Sequence, residues 1–209
     1  MKYLLALLLL VISNVFSAEF EETLRLAKQG DIDAQYRLGI KYHRGKGVSV
    51  NKSESLKWFA EAAEKGHARA QRDLAWIYDN EYEMSIEALK WYTKAAEQGL
   101  AVAQSNLGYM YEKGRGAPEN YALAFKWYKK AAEQGYTGGQ IALADLYESG
   151  KGVPESLIKA YVWESMARTQ DSIFEKRIDS IKNKMTKEQI AKGQELASKC
   201  WESKFKDCD

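Results

Sequence analysis

Residues 33–45, DAQYRLGIKYHRG, carry apolar side chains at Ala34, Leu38 and Tyr42, one at every fourth position. That step marks one face of a helix. A second stretch, YALAFKWYKKAAEQG over 121–135, brings Ala124, Trp127 and Ala131 to one face at steps of three and four. Its closing glycine fits a helix C-cap, where a left-handed residue is cheap. Between the two kinds of helix lies a G-x-G pair suited to a tight turn, as in GKGV over 45–48.

Both stretches recur in one register. The phrase WFAEAAEKG at 58–66 returns as WYTKAAEQG at 91–99 and WYKKAAEQG at 127–135. Gly30, Gly66, Gly99 and Gly135 are spaced 36, 33 and 36 residues apart. Trp58, Trp91, Trp127 and Trp163 follow at 33, 36 and 36, and LGIKY, LAWIY, LGYMY and LADLY keep the same step. Periods of this size belong to stacked repeats, in which a hairpin buries its apolar face only against its neighbours. The expected architecture is all-α, with a small residue after each leucine (Gly39, Ala75, Gly108, Ala144) letting a neighbouring helix come close. Trp91 and the Ala95–Ala96 pair are the expected buried stripe, with Glu97 and Gln98 facing water.

The expected divisions are a leader over 1–17, an N-terminal capping helix over 18–30, and repeats over 31–66, 67–99, 100–135 and 136–170. Capping helices with a disulfide tail fill 171–209. The second repeat lacks the glycine pair: DNEYEMS (79–85) follows Tyr78 and is three residues shorter. A shorter connection should change the local tilt of the stack, and such loop changes are well tolerated. FEETLRLAKQG (20–30) reads as a second helix without a first. The fourth repeat decays to WESMARTQD (163–171), as terminal repeats do. Thr186 and Gln189 have capping-box spacing and mark the start of the last helix.

The first residues do not belong to the stack. Lys2, the apolar run LLALLLLVI (4–12) and SNVFSA (13–18) form the pattern of a secretory signal peptide. The run is well short of the roughly 20 residues of a membrane span. Cleavage after Ser17 puts small Val15 at the −3 position; cleavage after Ala18 would put Phe16 there. The expected location is the periplasm or the exterior. An exported chain meets oxidising conditions, so Cys200 and Cys208 should be joined. Eight residues of straight helix would hold them about 12 Å apart, so the helix should end near Trp201 and fold back. The small loop stabilises on the order of 2.5 kcal/mol. Rival readings are two free thiols or a metal pair, though two ligands alone make a poor metal site. With 31 basic against 29 acidic residues, the chain lacks the basic excess that nucleic acid selects.

The phrases A-x-x-x-L-G-x-x-Y, G-x-G-V and A-x-x-W-x-x-x-A-A-E-x-G, over about residues 31–170, resemble the Sel-one-like repeat family, relatives of tetratricopeptide repeats. The resemblance implies a right-handed α-solenoid of about four hairpin repeats, serving as an adaptor or partner-binding surface rather than a catalyst. Exported bacterial members include envelope scaffolds, host-directed factors and immunity proteins against secreted toxins. No cofactor or metal is implied, and a monomer is expected.

Chemistry-bearing motifs are few. His43 and His67 stand alone, without ligand partners at helical spacing, and are expected to be solvated surface groups. Glu64, Glu97 and Glu133 sit in last turns, about 10 Å or more apart, too far to share one ion. Some family members have been linked to β-lactamase activity, and S-x-x-K occurs at Ser49/Lys52, Ser156/Lys159 and Ser203/Lys206. The S-D-N and K-T-G elements of that chemistry are missing from the sequence. A hydrolase of the β-lactamase or cell-wall-acting type is the alternative reading.

By analogy with related repeats, the first helix of each hairpin lines the concave wall. The non-repeating positions there are Tyr36, Ile40 and His43; Arg72, Trp76 and Asp79; Ser105, Tyr109 and Glu112; and Ile141, Asp145 and Glu148. Trp76 and Tyr109 share a register and are expected side by side as aromatic anchors. Arg69 and Arg72 lie towards one end, Asp145 and Glu148 towards the other, a polar gradient for an extended segment or a helix of a protein partner.

Overall fold

The computed structural model describes residues 18–167 and 172–208, of which 172–174 as backbone only. The leader over 1–17 and the decayed phrase's Asp171 lie outside the described residues. Every regular element among them is a helix. They form the helical hairpins of an α-solenoid, in two compact units divided between Met84 and Ser85. The first unit holds α1 (18–28), α2 (Ile32–Arg44), α3 (Lys52–Glu64) and α4 (Ala68–Glu81). The second holds α5 (Ser85–Glu97), α6 (Ala101–Lys113), α7 (Tyr121–Ala132), α8 (Thr137–Ser149), α9 (Leu157–Met166), α10 (Ser172–Lys182) and α11 (Lys187–Glu202).

The repeated phrase is a helix terminator. Gly30, Gly66, Gly99 and Gly135 all have positive φ. At Gly66 the amide N–H reaches the Ala63 carbonyl (3.0 Å) and the following His67 N–H reaches Ala62 (3.0 Å). The same pair of bonds closes α1, α5 and α7. This is the Schellman arrangement, which satisfies carbonyls that the helix end leaves open.

A buried glutamine then ties each first helix to the helix before it. Gln35, Gln71, Gln104 and Gln140 are buried. Their Nε2 groups donate to the carbonyls of Ala27, Ala63, Ala96 and Ala132 at 3.2, 3.0, 3.1 and 3.4 Å. α1 therefore offers α2 the same carbonyl that α3 offers α4, in the manner of a second helix. Phe20 also packs edge-on against Tyr42, and Glu19 pairs with Lys41 at 2.9 Å.

The close approach predicted at the small residues has a definite cause within the hairpin. A Cβ on Gly39 would stand 2.6 Å from the Phe59 ring, and one on Gly108 would stand 2.7 Å from the Tyr128 ring. The ring of the second helix thus lies on the backbone of the first. This corrects the expected stripe: Trp91 and Trp127 are only half-buried, while the following Tyr92 and Tyr128 are buried. The outer faces of Trp91 and Trp127 carry Lys94 and Lys130, at 4.1 and 4.5 Å from the rings, a favourable cation–π placement.

The short connection of the second repeat works without glycine. Glu83 takes positive φ (55°), and the Met84 N–H reaches back to Tyr78 O at 2.8 Å. At the other end the aromatic position is filled by Glu164, which is 0% exposed. Arg177 of α10 meets both its carboxylate oxygens, at 2.6 and 3.0 Å, and also Asp145 at 2.7 Å. α11 ends at Glu202, and left-handed Lys204 and Phe205 turn the chain back. Cys208 joins Cys200 there, with Cα atoms 4.4 Å apart.

Gly108→Ala separates propensity from packing. Helix propensity alone would stabilise by about 1 kcal/mol, whereas crowding of the Tyr128 ring costs about 1–3 kcal/mol. Urea denaturation should show a net loss of about 1 kcal/mol. In a Tyr128→Leu background the same change should become neutral or stabilising.

Candidate functional site

In the first unit, α2 and α4 bring Tyr36, Ile40, His43, Arg72 and Trp76 around a cavity of about 230 Å³. Phe59, Ile77, Asp73 and Arg44 complete its lining. The walls are a consequence of helix spacing: Tyr36 and Ile40 are four apart on α2, Arg72 and Trp76 four apart on α4. Trp76 is 45% exposed, a large apolar surface left in water beside the cavity. The Tyr36 hydroxyl donates to Asp73 at 3.1 Å, and Arg72 pairs with the same carboxylate at 2.8 Å. Burial nevertheless holds the Asp73 carboxyl above its usual range, outweighing Arg72 and the Tyr36 bond. The Tyr36 phenol is raised as well, by burial first and by Asp73 second.

Tyr36 also stacks on His67, with ring centres 4.4 Å apart. His67 is not the solvated group expected of it. Its Nδ1 accepts the Ala70 N–H at 3.0 Å and so caps α4, and its Nε2 lies 3.2 Å from Asp33. Imidazole serves here where aspartate or asparagine caps α2 and α3. His43 is exposed on the cavity rim, and exposed Arg69 lies beside Tyr36 and His67 in an adjoining depression.

In the second unit, α6 and α8 carry Tyr109, Glu112, Ile141, Asp145 and Glu148. Tyr109 is 44% exposed, with the Lys113 ammonium 5.9 Å from its ring. Glu112 is engaged: it accepts the Tyr128 hydroxyl at 2.8 Å and pairs with Lys113 at 2.5 Å. Burial and that carboxylate push the Tyr128 phenol far above its ordinary value. Asp145 and Glu148 also have internal cations, Arg177 and Lys184, each at 2.7 Å. The acidic end of the expected gradient is thus largely balanced by the C-terminal helices. Ile141 is half-buried. Asp79 and Ser105 are 5% and 8% exposed, so both leave the set of surface positions. Asp73, Ile77 and Arg44 fall outside a count of three wall positions per first helix, and Phe59 enters the lining from α3. Continuing the four-residue step from Ile40 reaches Arg44, so that residue was within reach.

The serines of two S-x-x-K matches serve helix ends. Ser156 is the N-cap of α9, its hydroxyl accepting the Lys159 N–H at 3.3 Å. Ser203 accepts the Lys206 and Asp207 N–H groups and donates to Cys200 O at 3.0 Å. The three-residue spacing is that of a cap reaching the N3 amide. Among the described residues no group of three or more His, Cys, Asp or Glu could hold a metal ion. Nor is any described helix long and apolar enough to cross a membrane.

The sequence matches the Sel1 repeat model over residues 32–67, 68–100, 101–136 and 138–172. Among solved structures it is similar to c5321, described as a protective antigen present in uropathogenic Escherichia coli strains displaying an SLR fold. The two are 32% identical, with a TM-score of 0.82. The alignment covers 89% of this chain but only 41% of that one, so the chain spans less than half the length of that relative. A Sel1 repeat protein from Oxalobacter formigenes is 30% identical, with a TM-score of 0.68 over 75% of this chain and 70% of its own. An immunity protein of Pseudomonas aeruginosa, Pa5087, is 19% identical over 79% of this chain and 73% of its own, with a TM-score of 0.37. A comparison with curated proteins finds no match.

The capping role of Ser156 is testable. Ser156→Ala should cost about 1 kcal/mol in thermal or chemical denaturation. Ser156→Asp, which keeps a capping oxygen but no nucleophilic hydroxyl, should restore the loss. A serine needed for anything beyond the cap would not be rescued this way.

Proposed function

We propose, for a chain that belongs to the Sel1 repeat family, a role as a non-catalytic protein-binding module of the cell envelope or the exterior. Sel1 repeats are protein-interaction modules, and a fold of this kind hosts function only at its non-repeating surface. The observation that carries the reading is Trp76, left 45% exposed beside a formed cavity on α2 and α4. Exposed aromatics next to pockets are the usual anchors of interfaces. Tyr109 supplies a second exposed aromatic, on α6. A hydrolase is disfavoured because Ser156 and Ser203 commit their hydroxyls to helix ends.

An exported location rests on the leader pattern over 1–17 and on the Cys200–Cys208 bridge, which oxidising compartments sustain. The description of the Escherichia coli relative as a protective antigen fits the same location. Two partner types agree with it: a toxin that the chain neutralises, or a component of an envelope assembly. The identity of the captured protein separates them.

Trp76→Ala and Tyr109→Ala should each weaken partner capture about tenfold or more, with helicity unchanged by circular dichroism. Full retention in both variants would retire the first-helix surface. N-terminal sequencing of the exported protein should begin at Ala18. Hydrolysis of a chromogenic β-lactam by purified protein, lost in Ser156→Ala but with folding intact, would replace binding by catalysis.

A further inference from the structure

We infer that the cavity between α2 and α4 receives an apolar side chain from an acidic segment of the partner protein. The inference rests on the protein-binding reading above and adds the chemistry of what is bound.

Size comes first. At about 230 Å³ the cavity falls below the roughly 300–1,000 Å³ of small-molecule sites. It suits one or two side chains inserted from a longer chain. Ile40, Phe59, Ile77 and Trp76 give it an apolar lining, so the inserted group is aliphatic or aromatic. Trp76 offers a rigid face at low entropic cost, the property that makes tryptophan a frequent anchor.

Charge selects the flanking residues. The rim carries Arg44 and Arg72, and the depression that shares Tyr36 adds Arg37 and Arg69. Among the described residues Arg37, Arg44 and Arg69 make no ion pair. Two carboxylates share this surface with the four arginines, and one of them, Asp73, is paired with a cation. Asp73 is held by Arg72 and Tyr36, and Asp33 lies 3.2 Å from His67. Arg72 also keeps a buried Nε donor with no hydrogen-bond partner. Four arginines against two carboxylates leave the surface net cationic around a cavity walled partly by apolar and partly by polar side chains. Complementarity of this kind raises the association rate and excludes wrongly charged partners. Nucleic acid fits less well, because the chain as a whole is near charge balance rather than strongly basic.

The test uses the purified protein and fluorescently labelled ten-residue peptides, read by anisotropy. One peptide has a central phenylalanine among aspartates and glutamates. In the others the phenylalanine is replaced by glycine, or the acids by lysines, or the acids by serines. A single-stranded oligothymidine serves as a further probe. The acidic anchored peptide should bind at least about tenfold more tightly than each of the other three, a difference of about 1.4 kcal/mol. Its affinity should fall about tenfold in Trp76→Ala and in Arg44→Glu, a reversal at an exposed site, and should weaken with added salt.

Equal binding of the serine or lysine peptide, still dependent on Trp76, would overturn the acidic chemistry and leave the binding surface standing. Oligothymidine binding that Trp76→Ala abolishes would replace the protein partner by nucleic acid. If no peptide binds while Trp76→Ala still weakens partner capture, this inference alone fails. If neither depends on Trp76, the protein-binding reading fails with it.

Discussion

The stack depends on one buried hydrogen bond made four times: glutamine Nε2 to the carbonyl of an alanine eight residues earlier. A helix end leaves carbonyls open, and burying them unpaired would cost on the order of 1–3 kcal/mol each. The Schellman turn closes part of that deficit from within the helix. Gln35, Gln71, Gln104 and Gln140 add a bond from the next helix. Because Nε2 must reach a single oxygen, the bond fixes where each first helix begins relative to the helix before it.

Within a hairpin the corresponding constraint is a ring seated on a backbone. Gly39 under Phe59 and Gly108 under Tyr128 show why the small residue after each leucine is needed. Periodicity made the helices, their order and their turns legible, because the caps and the apolar step have residue signatures. It did not identify the inner aromatic, since Trp91–Tyr92 and Trp127–Tyr128 are adjacent pairs and a helical wheel rates both as possible. Tryptophan, the larger ring, ends half out with a lysine on its face. The glutamines recur at spacings of 36, 33 and 36, but spacing alone does not tell a buried amide from a surface one. A buried amide is recognisable only once its carbonyl is in place.

Surface positions were legible to a smaller extent. Counting residues off the repeat found Tyr36, Ile40, Arg72 and Trp76, which line one cavity. The same count included Asp79 and Ser105, because it assumed that a polar residue at a variable position faces water. It had no means of anticipating Asp73, whose carboxylate joins α2 to α4 through Tyr36. Nor did it foresee Arg177 and Lys184 reaching Asp145 and Glu148 from another element. Ion pairs between distant segments follow from the fold and leave no periodic trace.

Glu164 gives the fourth repeat a neighbour chosen by charge. In the first three repeats this position holds an aromatic, Phe59, Tyr92 or Tyr128, which brings no charge into the core. A fully buried carboxylate is selective in a different way. It demands a guanidinium, and a helix that brought only hydrocarbon would leave a bare charge in the core, a loss of several kcal/mol. Duplicating an inner repeat between α9 and α10 would therefore separate a fully buried acid from its base. That junction is a seam at which copying is penalised, and a single glutamate marks it.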